Sequence, residues 1–347
     1  MPAAEHRVAP FAPDELDEAY LANPPLVTAE PLEALAGEWA ALHAEDVANP
    51  PFNHPVWFRV WLRHFGRGTE AVFLAVRRDG QLIGAVPLTT DAAAVRLLGD
   101  PQVSDYAGIA ARPGLEPFVA RGLAEWLGED LAPSAELWGI RDATPLHHAL
   151  REAAAHFGWQ LAERDEAVSP AATLPDDFEA FLAGLPKTHR HELRRKLRRL
   201  QAAGDVALVS TSGPGAVDEA ADLLFRLMRE SRDDKRDFLT PAMEAFFRDL
   251  AREFTALGMA CFRTLRLDGQ PVATVFCFES PAATFLYNSG FDPAFSDLAV
   301  GLLSKALALR DAIDSSKRTF DFLRGDERYK FELGGEPRRV LQLEFRR

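Results

Sequence analysis

Five residues that can transfer protons or carry charge lie together near the C-terminus: Asp321, Asp326, Glu327, Tyr329 and Lys330. Residues 318–323 alternate as a strand does, so Asp321 faces away from the phenylalanines beside it. A carboxylate held beside an opening in a sheet can have a raised pKa, which makes Asp321 a candidate base. Tyr329 is a candidate acid, and Lys330 a candidate donor to an oxyanion or phosphate. Alternatively, Asp321 pairs with an arginine, and Tyr329 and Lys330 brace the loop.

A strand, a loop and a helix must position these side chains. Residues 284–291 are β-branched and aromatic, which predicts a strand, and Asp292-Pro293 ends it. Apolar residues recur at helical spacing from Leu298 onward. A strand that feeds a helix through a loop brings unpaired N–H groups and the positive end of the helix dipole together, which suits a phosphate. The alternative is an ordinary helix start capped by Ser296 or Asp297. On the strand itself, Tyr287 is a second candidate acid and Asn288 a candidate amide donor.

An arginine-rich helix is predicted upstream, at residues 188–200. Its leucines fall on one stripe and can pack on a core, while Arg190, Arg194 and Arg198 recur every four residues on another face. Like charges at this spacing repel, and the arginine fork suits phosphate, so Arg190 and Arg194 are candidate substrate-binding residues together with Asn288. The polyanion would be the phosphates of a coenzyme, a nucleotide-sugar diphosphate or an acidic glycan. The alternative is a solvated charged face.

Composition excludes several classes of protein. The net charge of −13 argues against a nucleic-acid partner, because such binding depends on a basic surface. We find no apolar run near the ~20 residues that a membrane span needs, and no signal peptide at the start. We interpret the two cysteines as buried apolar residues, and no Cys/His spacing indicates a metal site. These features predict a cytoplasmic protein without a metal.

The length of 347 residues predicts two domains. Each half contains two helices followed by a hairpin, and the hairpins close at Asp79-Gly80 and Asp268-Gly269. The sequence SPAATLPDD at residues 169–177 is typical of a linker. We therefore predict a flexible tail at residues 1–25, an N-terminal domain at 26–170 and a C-terminal domain at 171–347, in an α/β (α+β) fold.

Three passages carry a resemblance to a known family. They are FDFLRGDERYKFELG at residues 320–334, KTHRHELRR at 187–195 and PFNHPVWF at 51–58. Together and in this order they resemble the GNAT-superfamily acyltransferases of the cellulose-biosynthesis-associated (CelD-like) group, which are distantly related to Fem-type aminoacyl and peptidyl transferases. The resemblance covers the chain from about residue 31 onward, and DFLRGDERYK at residues 321–330 is its most specific part.

The resemblance implies two tandem GNAT-like domains, each a mixed, mostly antiparallel sheet flanked by helices. It implies acetyl-CoA or another acyl-CoA as co-substrate, bound by the C-terminal domain, with a degenerate N-terminal copy on the acceptor side. The CoA pyrophosphate is expected on the loop and helix start after the central strand. In this sequence the residues expected to bind the cofactor are Phe291, Ser296, Leu298, Ala299, Val300 and Gly301.

The sequence therefore predicts direct acyl transfer to an amine or hydroxyl, N- or O-linked, on a carbohydrate-linked or cell-envelope precursor. The catalytic candidates are Asp321, Tyr329, Lys330 and Tyr287, and proteins of polysaccharide synthesis are possible partners. One alternative is a Fem-type transferase that uses aminoacyl-tRNA. Another is a non-catalytic binding subunit of a polysaccharide-synthesis assembly.

Overall fold

A computed structural model describes residues 13–91, 93–129 and 133–347. The chain divides into two compact units. The first comprises the described residues up to Leu62, then Gly66–Ala167 and Arg339–Arg347. The second comprises Arg63–Phe65 and Val168–Arg338. The predicted fold class, mixed α/β with two sheets flanked by helices, is confirmed.

The first unit is built on a sheet of eight strands. Its order is β1-β2-β3-β4-β6-β14-β7, with β5 paired to β3. The strands are β1 Leu26–Ala29, β2 Ala71–Arg78, β3 Gln81–Thr90, β4 Val95–Leu97, β5 Ala110–Ala111, β6 Ser134–Arg141, β7 Gln160–Val168 and β14 Arg339–Arg346. The helices are α1 Pro13–Ala22, α2 Leu32–Ala44, α3 Pro55–Phe65, α4 Glu116–Leu127 and α5 Pro145–His156.

The second unit is built on a sheet of six strands in the order β8-β13-β12-β11-β10-β9. The strands are β8 Ala171–Thr173, β9 Val206–Thr211, β10 Ala260–Leu267, β11 Gln270–Glu279, β12 Ala283–Phe291 and β13 Thr319–Asp321. The helices are α6 Phe178–Gly184, α7 Lys187–Ala203, α8 Val217–Ser231, α9 Asp233–Phe238, α10 Pro241–Ala256, α11 Val300–Asp314 and α12 Arg328–Glu332.

Both units contain the same local topology. In each unit the hairpin is followed along the chain by a further strand, β4 in the first unit and β12 in the second. This strand pairs in parallel with a later one, β4 with β6 and β12 with β13. A helix joins each parallel pair, α4 in the first unit and α11 in the second. Parallel strands need such a crossover connection.

The hairpin predictions are confirmed in both units. The turn between β2 and β3 has Asp79 and Gly80 at positive φ, and the turn between β10 and β11 has Asp268 and Gly269 at positive φ. Two successive residues at positive φ form the turn type that matches strand twist, and Asp-Gly is a favoured pair for it.

Three segments differ from the sequence-based expectation. The predicted linker contains β8, which pairs with β13 and closes one edge of the second sheet. The last strand, β14, lies between β6 and β7 in the first sheet, although the sequence places it in the second domain. Within the predicted tail, residues 1–12 lie outside the described residues, while α1 buries Leu16 and Tyr20. Local patterns predict strands and helices but not the sheet that a strand joins, because pairing depends on distant residues.

The hydrophobic core of the second unit lies between its six-stranded sheet and α11. It contains residues such as Val275, Leu286, Leu303 and Phe320. No helix in the described parts of the chain is long and apolar enough to cross a membrane.

Helix α8 packs closely on β12 at Gly290. A Cβ at Gly290 would lie 2.5 Å from the backbone nitrogen of Met228 and 2.6 Å from the carbonyl carbon of Leu227. Backbone atoms cannot move aside as the end of a side chain can. A residue without a side chain is therefore needed where the helix crosses this strand.

We expect Gly290→Ala to destabilise the protein by roughly 1–3 kcal/mol, since overpacking against backbone shifts the helix. The measurement is the thermal and urea midpoint of the full chain. The matched control is Gly184→Ala at the end of α6, where a Cβ meets nothing within 4 Å. Equal midpoints for the two variants would contradict the packing argument.

Candidate active site

A cavity of about 300 Å³ lies in the second unit where β12 ends and α11 begins. The strand ends because Pro293 follows Asp292, whose carboxylate accepts the N–H of Ala294 at 2.9 Å. A short 3-10 turn then runs to Leu298, and Ala299 has a left-handed backbone with φ of 56°. This change of direction starts α11. The lining residues come from α8 to α9, β12, the turn, α11 and α12: Ser231, Arg232, Lys235, Ser289, Phe291, Ser296, Ala299, Val300, Gly301, Leu302, Lys305, Glu327 and Tyr329.

The start of α11 contributes backbone donors to this cavity. The carbonyl of Ala299 accepts the N–H groups of Leu302 and Leu303 at 3.0 and 2.9 Å. The N–H groups of Val300 and Gly301 precede these first bonds of the helix. Gly301 packs under the ring of Phe291, where a Cβ would lie 2.9 Å from the ring. Two backbone donors and the positive end of the helix dipole therefore border the cavity, an arrangement that attracts anions.

Lys305 lies one turn further along α11 and is only 8% exposed. Its Nζ donates to the carbonyl oxygen of Gly301 at 2.7 Å and lies 4.9 Å from the centre of the Tyr329 ring. Burial lowers the pKa of Lys305 to about 7, and the nearby charge of Lys235 acts in the same direction. Desolvation penalises the ammonium form, so near neutral pH a substantial share of Lys305 is the neutral amine.

Lys235 is the second lysine of the cavity. Its Nζ donates to the carbonyl oxygen of Ser289 on β12. Burial lowers the pKa of Lys235 to about 8, with the charge of Arg232 adding to the effect. Two lysines with lowered pKa values in one cavity are typical of a site for proton transfer or for binding an anion.

The loop before α12 supplies Glu327, Tyr329 and Lys330. Lys330 is 2% exposed; its Nζ donates to the carbonyl oxygen of Leu323 at 2.9 Å and lies 3.0 Å from Glu327 Oε2. Burial by itself would raise the pKa of Glu327, but the charge and the hydrogen bond of Lys330, together with a backbone hydrogen bond and the charge of Arg232, lower it. Lys330 therefore holds both the loop and the Glu327 carboxylate in place.

The structure brings six of the sequence-predicted residues to the cavity: Phe291, Ser296, Ala299, Val300, Gly301 and Tyr329. The Ser296 hydroxyl donates to the carbonyl oxygen of Pro293 at 2.6 Å and so supports the turn. Leu298 is not among the lining residues; it packs against the hydrophobic core.

Asp321 and Tyr287 lie elsewhere in the second unit. Asp321 is 3% exposed, and its Oδ1 accepts the N–H of Leu323 at 2.8 Å. The Tyr287 ring packs among aromatic rings, with centroids 5.0 Å from Phe278 and 5.7 Å from Phe247. Neither residue lines the cavity, and neither does Lys330 or Asn288, which pairs opposite Phe276 on β11.

The two predicted substrate-binding arginines contact helix α6. Arg190 donates to the carbonyl oxygen of Ala183 at 2.8 Å, and Arg194 pairs with Glu179 at 2.5 Å. Both contacts tie α7 to α6 and lie outside the cavity. Their role in binding a substrate stays a prediction.

Sequence reasoning missed the two lysines of the cavity. The signal for Lys305 was present, because it is a charged residue within an apolar stretch of α11 and lies four residues after Gly301. A lysine on the buried face of a helix needs a physical reason. Lys235 carried no such signal, since it lies in a charged stretch, DDKRD, at residues 233–237.

Comparison with known proteins supports the acyltransferase interpretation. Residues 187–331 match a family model described as an acetyltransferase (GNAT) domain. This segment contains α11, both lysines and the loop to Tyr329, and it supports an acyltransferase. No curated protein matches the chain in sequence.

Solved structures share the fold. FemX is similar with a TM-score of 0.61 and 11% identity, over 92% of this chain and 96% of that chain. A conserved protein of unknown function from Bacteroides thetaiotaomicron VPI-5482 has a TM-score of 0.60 and 13% identity, over 93% and 100%. The C-terminal domain of a protein described as a putative lysylphosphatidylglycerol synthetase from Agrobacterium fabrum has a TM-score of 0.56 and 11% identity, over 90% of this chain and 92% of that chain. At these identities the likeness is one of fold. Among the described residues no group of His, Cys, Asp and Glu is arranged to hold a metal ion.

We expect Lys305→Met to raise the thermal midpoint, most strongly at acidic pH. Below pH 7 Lys305 is charged in both the folded and unfolded states, and the folded protein bears the full cost of burying it. Between about 7 and the ordinary value of 10.5 the unfolded chain binds more protons, so the cost falls as the pH rises. The expected gain is roughly 1–3 kcal/mol at pH 6, less than the desolvation cost alone because the bond to Gly301 is lost.

Thermal midpoints at pH 6, 8 and 10 check this expectation. The gain should shrink steadily over this series. Lys187→Met, at the exposed first residue of α7, is the control and should shift the midpoint little at any pH. If the increase in thermal midpoint is the same at all three pH values, or if the midpoint falls at pH 6, burial of the Lys305 ammonium does not destabilise the folded protein.

Proposed function

We propose that this chain is an acyl-CoA-dependent acyltransferase that transfers an acetyl or other acyl group directly to an amine or hydroxyl. The observation that carries the proposal is the cavity at the start of α11. It combines the N–H groups of Val300 and Gly301 with the lysines Lys235 and Lys305. The match of residues 187–331 to an acetyltransferase (GNAT) domain supports it.

The anionic part of the donor needs positive groups and backbone donors. Val300 and Gly301 would hold a pyrophosphate through their N–H groups, as helix starts do. Lys235 and the exposed Arg232 on the same rim add positive charge. Acyl-CoA supplies the thioester whose carbonyl carbon receives the acceptor.

The acceptor must lose a proton and the departing thiolate must gain one. We assign the base to Lys305, because its neutral form is populated near pH 7 and it lines the cavity. Tyr329, whose ring lies beside the Lys305 Nζ, is the acid for the thiolate. The new bond joins the acceptor nitrogen or oxygen to the acyl carbon, and the C–S bond breaks. Asp321 and Lys330 then act by holding the loop that carries Tyr329, since neither lines the cavity.

The acceptor class in this proposal is a carbohydrate-linked or cell-envelope precursor, as the CelD-like resemblance implies. The exposed arginines of α7 provide a positively charged surface for a phosphorylated carrier. Arg190 and Arg194, which contact α6, belong to this surface. We further propose a cytoplasmic protein that works with proteins of polysaccharide synthesis.

Binding of acetyl-CoA is the first test. Titration calorimetry should give a micromolar dissociation constant, and release of thiol should follow when envelope sugars or amines are added. Binding of a nucleotide sugar without binding of acetyl-CoA would favour the non-catalytic subunit. Transfer from aminoacyl-tRNA alone would favour the Fem-type alternative. Either result would exclude the acyl-CoA proposal.

Lys305→Met should lower kcat by ~10²–10⁴ while acetyl-CoA still binds, because a general base contributes about that much. In the unaltered protein, kcat/KM should rise with pH through about 7, since only the neutral amine accepts a proton. Arg310→Gln, at an exposed position on the same helix, is the control and should retain activity. A Lys305→Met protein with full turnover and an unchanged pH profile would remove the base assignment.

A further inference from the structure

The first unit contains a second cavity, of about 290 Å³, at the start of α4. It is lined by residues from the segment after α2, from the loop before β5, from the start of α4, and from the end of β6 and the start of α5. The polar ones are Asp46, Asn49, Asn53, Tyr106, Glu116, Arg141 and Thr144. All of them belong to the first unit.

This cavity and the one in the second unit occupy the same place in the fold. Each includes the first turn of the helix that joins a parallel pair of strands, α4 between β4 and β6, and α11 between β12 and β13. The charges are reversed. Lysines border the cavity at α11, whereas the first residue of α4 is Glu116, with Asp46 across the cavity. A carboxylate at the helix start and a second one facing it repel a pyrophosphate, so this cavity must bind a different ligand.

A buried amide pair forms one wall. Asn49 and Asn53 are 6% and 5% exposed, and Asn53 Nδ2 donates to Asn49 Oδ1 at 2.9 Å. Asn53 Oδ1 has no partner at hydrogen-bond distance and angle among the described residues. The direct hydrogen bond of the His43 ring is to the Pro50 carbonyl oxygen at 3.0 Å, and a hydrogen bond with the Asn53 side chain is the smallest of the influences on the pKa of His43. A buried acceptor without a donor is costly, and a ligand that carries N–H groups would remove that cost.

Between residues that the structure describes, no ion pair within 4.0 Å involves Asp46, Glu116 or Arg141. Burial raises the pKa of the Glu116 carboxyl, and the charge of Asp46 acts in the same direction. The Arg141 guanidinium lies 5.2 Å from the centre of the Tyr106 ring, and no described carboxylate forms an ion pair with it. The cavity thus presents a carboxylate pair and an amide oxygen for a cation, and one arginine for an anion.

We propose that this cavity binds a small zwitterion with the chemistry of an α-amino acid. Glu116, Asp46 and Asn53 Oδ1 receive its ammonium group, and Arg141 receives its carboxylate, for which the guanidinium fork is well suited. Ile109, Ile140 and Leu146 supply an apolar wall for its side chain. The proposal does not rest on the acyltransferase function, because every residue in it belongs to the first unit.

Calorimetry on the full chain, without acyl-CoA, tests this proposal. The probes are L-leucine, L-glutamine and L-lysine, together with 4-methylpentanoate and 3-methylbutylamine, which lack the ammonium and the carboxylate of leucine. At least one amino acid should bind with a dissociation constant below about 1 mM, a modest affinity for a ligand of this size. If that amino acid is leucine, each analogue should bind at least 10-fold more weakly, because one buried charge is left unpaired.

Two variants locate the site. Glu116→Gln and Arg141→Gln should each weaken amino-acid binding by at least about 10-fold. Glu152→Gln, at an exposed position of α5 in the same unit, removes the same charge outside the cavity and should not change binding. Thermal midpoints of all three variants report whether they remain folded. Absence of binding by any of the three amino acids at 10 mM, or unchanged binding in folded Glu116→Gln and Arg141→Gln proteins, would overturn the proposal.

Discussion

Burial of the Lys305 ammonium, one turn beyond the start of α11, is the interaction on which the candidate active site depends. A charge removed from water must be paired, hydrogen-bonded or neutralised. Here the Gly301 carbonyl and the Tyr329 ring hold it, and its pKa falls to about 7. The helix start whose N–H groups border the cavity thus also holds an amine that is present in both protonation states near neutral pH.

The surrounding elements keep that arrangement fixed. Gly301 admits the Phe291 ring, and Gly290, next to Phe291 at the same end of β12, admits the backbone of α8. Lys330 bonds the backbone of the loop that carries Tyr329 and pairs with Glu327. A site built on a strand end and a helix start is held more exactly in place than one built on loops alone.

The two units show how one topology can serve different chemistry. Each joins a parallel strand pair by a crossover helix and leaves a cavity at the helix start. In the second unit lysines make that cavity suitable for a pyrophosphate, and in the first unit Glu116 and Asp46 oppose one. Function therefore follows from the side chains placed at this point rather than from the fold.

The sequence by itself determined the local elements: the Asp-Gly hairpins, the strand ending at Asp292-Pro293 and the helix after it. These follow from turn chemistry and apolar periodicity, which act over a few residues. Five of the six predicted site residues that line the cavity reach it for the same reason, because they lie on one strand–turn–helix segment, whereas Tyr329 comes from α12. Only the tertiary structure decided that β14 joins the first sheet, that β8 closes the second, and that Lys235 and Lys305 share a cavity. Strand partners and lowered pKa values depend on residues far apart in the chain, and no local pattern encodes them.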